Sequence, residues 1–268
     1  MSKKPILTQY TIRKQGLKAP LTIALAADIH ERNADDILEL IKSSKPDIIA
    51  VAGDSFERRS DDNESYYRKF SLGHKIFSNV AMFTSHVLRF LFDRKNYPDE
   101  ENAYRFLRNA AELAPVYMSL GNHEGRLNEK DYEFIKENGI HLLDNSDETA
   151  VINNQEIRIG GLSTVRDGKW FRSFAQKDGF KILLNHHPEY YDGMISESDV
   201  DLVLSGHVHG GQVRIFGKGL ISPAVGLFPK YFWGVYDNRL VVSAGCSNPV
   251  SIPRINNPRE AVIIKLET

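Results

Sequence analysis

The chain has 268 residues, with 34 lysines and arginines against 35 aspartates and glutamates, so its formal charge of -1 leaves no excess for nonspecific binding to nucleic acid or an anionic membrane. With 41% hydrophobic and 26% charged residues, it is composed as an ordinary globular protein, which excludes the disordered, fibrous and membrane-spanning classes. The single cysteine, Cys246, excludes an internal disulfide and a structural thiolate zinc site, and it fits a reducing compartment.

Met1 to Gln15 carries lysines but no apolar run, so neither a signal peptide nor a membrane anchor is expected there and the chain reads as cytoplasmic. Leu21 to Ala27 is a short apolar run that stops at Asp28. A helix with Ile37, Leu38, Leu40 and Ile41 follows, with Asn33 as its candidate cap. Asp47 to Ala52 is a second strand, closed by Gly53-Asp54. Strand, helix and strand make a βαβ unit and a buried parallel sheet.

From Asp54 to Pro115 no strand signal appears. This stretch opens with a mixed-charge run containing Glu57 and Arg58. Leu72, Ile76, Val80, Phe83, Val87 and Leu91 then recur at helical spacing, with polar residues on the other side. Pro98 and Asp99 start another helix through Ala103, Phe106, Leu107 and Ala110. The expectation is a helical insertion at about 56–113 that rises beside the strand tips and can cap a cleft.

Beyond it, three more apolar runs end in polar residues. Pro115 to Leu120 ends at Gly121-Asn122-His123-Glu124, Phe180 to Leu184 at Asn185-His186-His187-Pro188, and Val200 to Leu204 at Gly206-His207-Val208-His209. In open α/β sheets ligands bind beyond the carboxyl ends of strands, so the five tips are expected to converge on one cleft. Short β-like pieces at Gln212–Phe216, Tyr231–Tyr236 and Leu240–Ser243 suggest a second, mostly antiparallel sheet, and Glu260–Leu266 is the last strand. Without repeats or linkers, residues 1–268 read as one domain.

Collected, the tips carry Asp28-x-His30, Asp54, Asn122-His123, His186 and His207-x-His209. This oxygen and imidazole set without thiolate suits borderline divalent ions such as Mn, Fe, Zn, Co or Ni. Two such ions need at least about six to eight donors and a shared carboxylate. The tips supply seven: Asp28, His30, Asp54, Asn122, His186, His207 and His209. Any one of them alone would be an ordinary turn or cap residue; their joint order is what points to metal. His74, His86 and His141 lack such companions.

In order and type, the motifs DxH, GD, GNHE, HxP and GHxH resemble those of the calcineurin-like metallophosphoesterases. Gly210-Gly211-Gln212 and the aromatic C-terminal stretch look like the bacterial branch that contains phosphodiesterases and UDP-diacylglucosamine hydrolases. The resemblance implies a four-layer α/β-β/α sandwich with two metal ions at the strand tips. It makes Asp28, His30, Asp54 and His209 the ligands of one ion and Asp54, Asn122, His186 and His207 those of the other, with Asp54 bridging. His123 resembles the family's proton donor to the leaving oxygen, and His187 falls in a supporting place or at the pocket rim. Some members have Asp-Arg where this chain has Glu57-Arg58: Glu57 then orients His123 and Arg58 holds a phosphate oxygen, or both belong to a solvated charge run.

The chemistry implied is attack of a metal-bridging hydroxide on the phosphorus of a phosphodiester or phosphomonoester. The alternatives are a lipid pyrophosphate hydrolase of the UDP-diacylglucosamine type, a scaffold that has lost catalysis, and a nuclease. The full donor set with His123 disfavours the scaffold, and the charge balance disfavours extended nucleic acid as a partner. The apolar face at 72–92 is read as the packing face of a lid or, less favoured, as a peripheral membrane contact. Oligomeric state is left open.

Overall fold

The computed structural model describes residues 4–58, 98–250 and 252–268. An N-terminal strand that no apolar run announces, β1 (Ile6–Arg13), precedes β2 (Leu21–Ala26). β2 and β3 (Ile48–Ala52) pair in parallel and are buried along almost their whole length, as strands covered on both faces must be. α1 (Asp35–Ser43) crosses between them with Ile37, Leu38 and Ile41 buried, acidic residues in its first turn and Lys42 in its last. Its N-cap is Ala34 rather than Asn33, although Asn33 Oδ1 still accepts from Asp35 N at 3.1 Å.

α2 (Glu100–Ala111) starts at Asp99, whose carboxylate accepts from Glu101 N, and leads into β4 (Val116–Ser119). Ala103, Phe106, Leu107 and Ala110 share one core with Ile37 and Ile41 of α1 and with Ile49 and Val51 of β3. The end of the expected insertion is therefore a helix packed in the outer layer. The helix expected at 72–92 lies outside the described residues.

The chain continues through α3 (Glu129–Glu137), which opens with a reciprocal Asn128–Asp131 capping box, and then β5 (His141–Leu143), β6 (Ser146–Ile152) and β7 (Gln155–Leu162). α4 (Gly168–Ala175), β8 (Phe180–Asn185) and β9 (Leu202–Ser205) follow. The last third holds β10 (Val213–Ile215), β11 (Lys218–Ser222), β12 (Gly226–Leu227), β13 (Gly234–Tyr236), β14 (Leu240–Val242) and β15 (Glu260–Glu267).

Two six-stranded sheets result, ordered β1-β15-β2-β3-β4-β5 and β13-β14-β9-β8-β7-β6. Successive residues of a strand point to opposite faces, and this alternation builds the layers. Ile23, Leu25, Ile48 and Ala50 of the first sheet meet Ile159, Ile182, Leu184 and Leu204 of the second in an inner core. Ala24, Ile49, Val51 and Met118 turn outward under α1, α2 and Ile135 of α3. Leu183, Val203 and Val242 turn outward under Phe171 and Phe174 of α4. The architecture is a helix, sheet, sheet, helix sandwich.

The pairing of the second sheet corrects the expectation of a mostly antiparallel one. β14, β9, β8 and β7 run parallel, and only the edges β13 and β6 pair antiparallel. β9 is buried throughout and needs a neighbour on each side; β8 supplies one and the equally buried β14 the other. β10, β11 and β12 form a separate antiparallel sheet. Among the described residues, no helix is long and apolar enough to cross a membrane.

Candidate metal centre

Because β2, β3 and β4 are parallel in one sheet and β8 and β9 in the other, their carboxyl ends deliver five loops to one end of the sandwich. Asp28 and His30 follow β2, Asp54 follows β3, Asn122 and His123 follow β4, His186 follows β8, and His207 and His209 follow β9. Asp28, His30, Asp54, His207 and His209 all adopt positive φ, between 48° and 72°. Such conformations each cost free energy for residues with a Cβ, and clusters of them mark sites where side-chain aim matters more than backbone comfort.

Those loops are stitched to each other. Asp28 N donates to Gly53 O, His30 N to Asp54 O, His207 N to Asp28 Oδ1 at 3.1 Å, and His123 N to Asp54 Oδ1 at 2.9 Å. Beneath them lies Glu124, whose carboxylate accepts four backbone N–H groups, from Asp54, Ser55, Phe56 and Gly121, and so clamps the β3 loop to the β4 loop. Burial, with the nearby Asp54 charge, pushes its pKa up to about 7 despite these donors. A Cβ built on Gly121 would lie 2.2 Å from Asp54 Oδ1, so only glycine lets this strand end pass so close to the carboxylate.

The side chains form two acid and imidazole triads. Donor atoms of Asp28, His30 and His209 all lie within 4.8 Å of one another, and so do those of Asp54, His186 and His207. Asp54 reaches both groups: its Oδ2 is 3.1 Å from His186 Nε2 and 3.6 Å from His30 Nε2. Asn122 is buried on the same turn as His123. His186 Nδ1 lies 2.7 Å from Ala52 O, and a carbonyl can only accept, so Nδ1 carries the proton and Nε2 faces the carboxylates. His30 Nδ1 sits 2.9 Å from Glu57 Oε1, which turns its Nε2 inward in the same way.

Among the described residues, His30 Nε2, His186 Nε2 and His209 Nδ1 are buried with no contact that has hydrogen-bond geometry, although carboxylates themselves out of water stand close by. Orphaned nitrogens and buried aspartates at these spacings are costly unless a cation lies among them, and imidazole with carboxylate is a donor set for divalent ions. The residues fit such ions. Burial alone would lift Asp28 and Asp54, yet neighbouring imidazoles hold both well below the usual carboxylate range. Against the opposing effect of burial, carboxylate contacts push His30 up to about 10 and His186 up to about 9, while burial takes His209 down to about 3.

Around the triads, Glu57 lies between two histidines, with Oε1 on His30 and Oε2 2.7 Å from His123 Nδ1. Those hydrogen bonds outweigh burial and keep it ionised. Arg58 is turned away from the cleft. Its guanidinium donates to Glu31 at 2.6 Å, to Glu100 at 3.0 Å and as a fork to Asp131 at 2.9 and 3.1 Å. His187 is buried behind His186, with Nε2 at 2.8 Å from Thr164 Oγ1 and Nδ1 at 3.1 Å from Glu189 Oε1. Glu189 also stands 3.7 Å from His207 Nε2. Sequence reasoning gave no role to Glu31, Glu124 or Glu189. Glu124 directly follows the Asn122-His123 pair and so had a local signal, whereas the other two are recognisable only from partners distant in sequence.

A family model for the calcineurin-like phosphoesterases matches residues 21–211, the stretch that contains all seven candidate donors. The chain belongs to the calcineurin-like phosphoesterase family. This phosphoesterase is 27% identical over 215 residues to YpbG of Bacillus subtilis (strain 168), across 78% of this chain and 68% of that one. It is 26% identical to the metallophosphoesterase YkoQ of the same organism, across 75% of this chain and 66% of that one. It is 27% identical to the phosphodiesterase YaeI of Escherichia coli (strain K12), across 74% of this chain and 63% of that one. About a third of each relative thus lies outside the match. As a family member with these acid and imidazole clusters, the phosphoesterase is a metal-dependent hydrolase of phosphoesters.

Proposed function

We propose that the enzyme hydrolyses a phosphodiester with the help of two divalent ions. Asp28, His30, Asp54 and His209 would hold one ion, and Asp54, Asn122, His186 and His207 the other. The observation that carries this reading is the presence of two buried triads with Asp54 in reach of both. When bound, the ions supply Lewis acidity, which activates water and neutralises the charge growing on the phosphoryl oxygens.

His123 is the proton donor to the leaving oxygen. Its Nδ1 is anchored on ionised Glu57, so the proton it can give away is on Nε2, which stands 4.0 Å from Asp54 Oδ2 on a side chain that keeps 15% exposure. Arg58 is left out of substrate contact because three carboxylates already engage its guanidinium. The organic part of the substrate has an adjoining cleft of about 240 Å³ whose lining includes Glu189, Val208, Phe228 and Tyr231. The diester preference draws on the printed name of YaeI.

The test is hydrolysis of an aryl phosphodiester and an aryl phosphomonoester by protein stripped with chelator and then reloaded with Mn²⁺. Recovery of diesterase activity on reloading is expected; no hydrolysis of either ester by the loaded protein contradicts the reading. His123→Ala should keep its metal while losing about 10² to 10⁴ in rate on a poor leaving group and less on an activated aryl one. Equal loss on both esters together with loss of metal would make His123 a ligand instead.

A further inference from the structure

At the rim of the molecule, two phenylalanines protrude into water, Phe228 at the edge of the cleft described above and Phe216 outside its lining. Phe216 and Gly217 form the two-residue turn between β10 and β11, closed by the Ile215–Lys218 pair, with φ of 49° and 74°. Two positive φ values make this a type I′ turn, whose first position favours asparagine, aspartate or glycine. A bulky aromatic there is strained, and Phe216 is 99% exposed, so among the described residues no packing compensates it. Phe228, just past β12, repeats the combination with φ of 51° and 68% exposure.

The two belong to one surface. Phe228 N donates to Leu220 O, two residues from the Lys218 that closes the Phe216 turn, so both phenylalanines leave the same end of the three-stranded sheet. Ile215, Leu227 and Ile255 are also exposed, and Ile255 pairs with β10 at Val213. Charge adds a second observation. From Leu202 to Tyr236 there are Arg214, Lys218 and Lys230 but no aspartate or glutamate, in a chain whose acids and bases otherwise balance. Arg214 is buried over the Trp233 ring and Lys230 pairs with Asp192, which leaves Lys218 exposed beside the tip.

We propose that this sheet end is a docking surface for an anionic lipid bilayer. Phenylalanine tips enter the boundary between headgroups and acyl chains, where their exposure in water is relieved, while Lys218 stays among the anionic headgroups. A second protein copy fits less well, because protruding single tips offer no flat, complementary area. The sheet is joined to the catalytic end through the His209–Gly211 turn, whose Gly210 O accepts from Arg214 Nε, so docking would bring the cleft to the lipid surface.

The test is co-sedimentation of the full chain with vesicles of phosphatidylcholine alone and with 30% phosphatidylglycerol, comparing the parent with Phe216→Asn and Lys218→Glu. The parent should pellet with the anionic vesicles. Phe216→Asn places a favoured residue in the turn, so it should melt no lower than the parent and hydrolyse a small aryl diester equally well, yet partition about tenfold or more weakly. Lys218→Glu should weaken binding only to the anionic vesicles. The proposal is overturned if the parent fails to bind anionic vesicles, if Phe216→Asn binds them as tightly as the parent, or if sedimentation velocity shows a dimer that Phe216→Asn abolishes.

Discussion

Glu57 is the residue on which two roles meet, since one oxygen serves His30 and the other His123. Glu57→Gln keeps the size but removes the charge, and should lower kcat on a poor leaving group about tenfold to hundredfold, with a smaller effect on metal content. Activity and metal analysis on the same preparation check this. Arg58 predicts a different signature. It neutralises Asp131 and Glu31, which are both buried, so Arg58→Ala strands two carboxylates and should cost about 3 kcal/mol in urea unfolding. A residue used for substrate alone would change KM and leave stability untouched.

Among the elements, α2 tests whether the end of the 56–113 stretch belongs to the fold. Phe106 is fully buried in the core that α1 and β3 share, so Phe106→Ala should destabilise by about 3 to 5 kcal/mol, whereas a loose cap helix would show almost no change. The measurement is a denaturant midpoint at constant slope. Legibility in the sequence followed burial. β2, β3, β8 and β9 are covered on both faces, so they stand out as predominantly apolar runs, interrupted only by residues such as Thr22 and Lys181. β1 and β6 are edge strands with one face exposed, and their mixed residues gave no run to find. The candidate donors could be proposed because they follow the ends of such runs. The partners of Arg58, at positions 31, 100 and 131, were not, because only the fold brings them together.

For the molecule as a whole, acid should act through paired carboxylates away from the metal centre. Asp131 and Asp147 are held below the ordinary aspartate value of 3.8, each against the opposing pull of burial, by Arg58 and Tyr104 in one case and by Lys177, Arg158 and Trp170 in the other. A depressed folded pKa stabilises above the unfolded value and ceases to do so as pH falls through it. In chelator-treated protein the melting temperature should therefore drop between about pH 5 and pH 3, with a shallower drop in Asp131→Asn. The most direct test of the central claim is the metal content of the saturated protein, measured by mass spectrometry beside Asp54→Ala. Two equivalents in the parent, with fewer in Asp54→Ala, are expected from a carboxylate shared by two sites. A single equivalent in the parent, or two retained by Asp54→Ala, would contradict it.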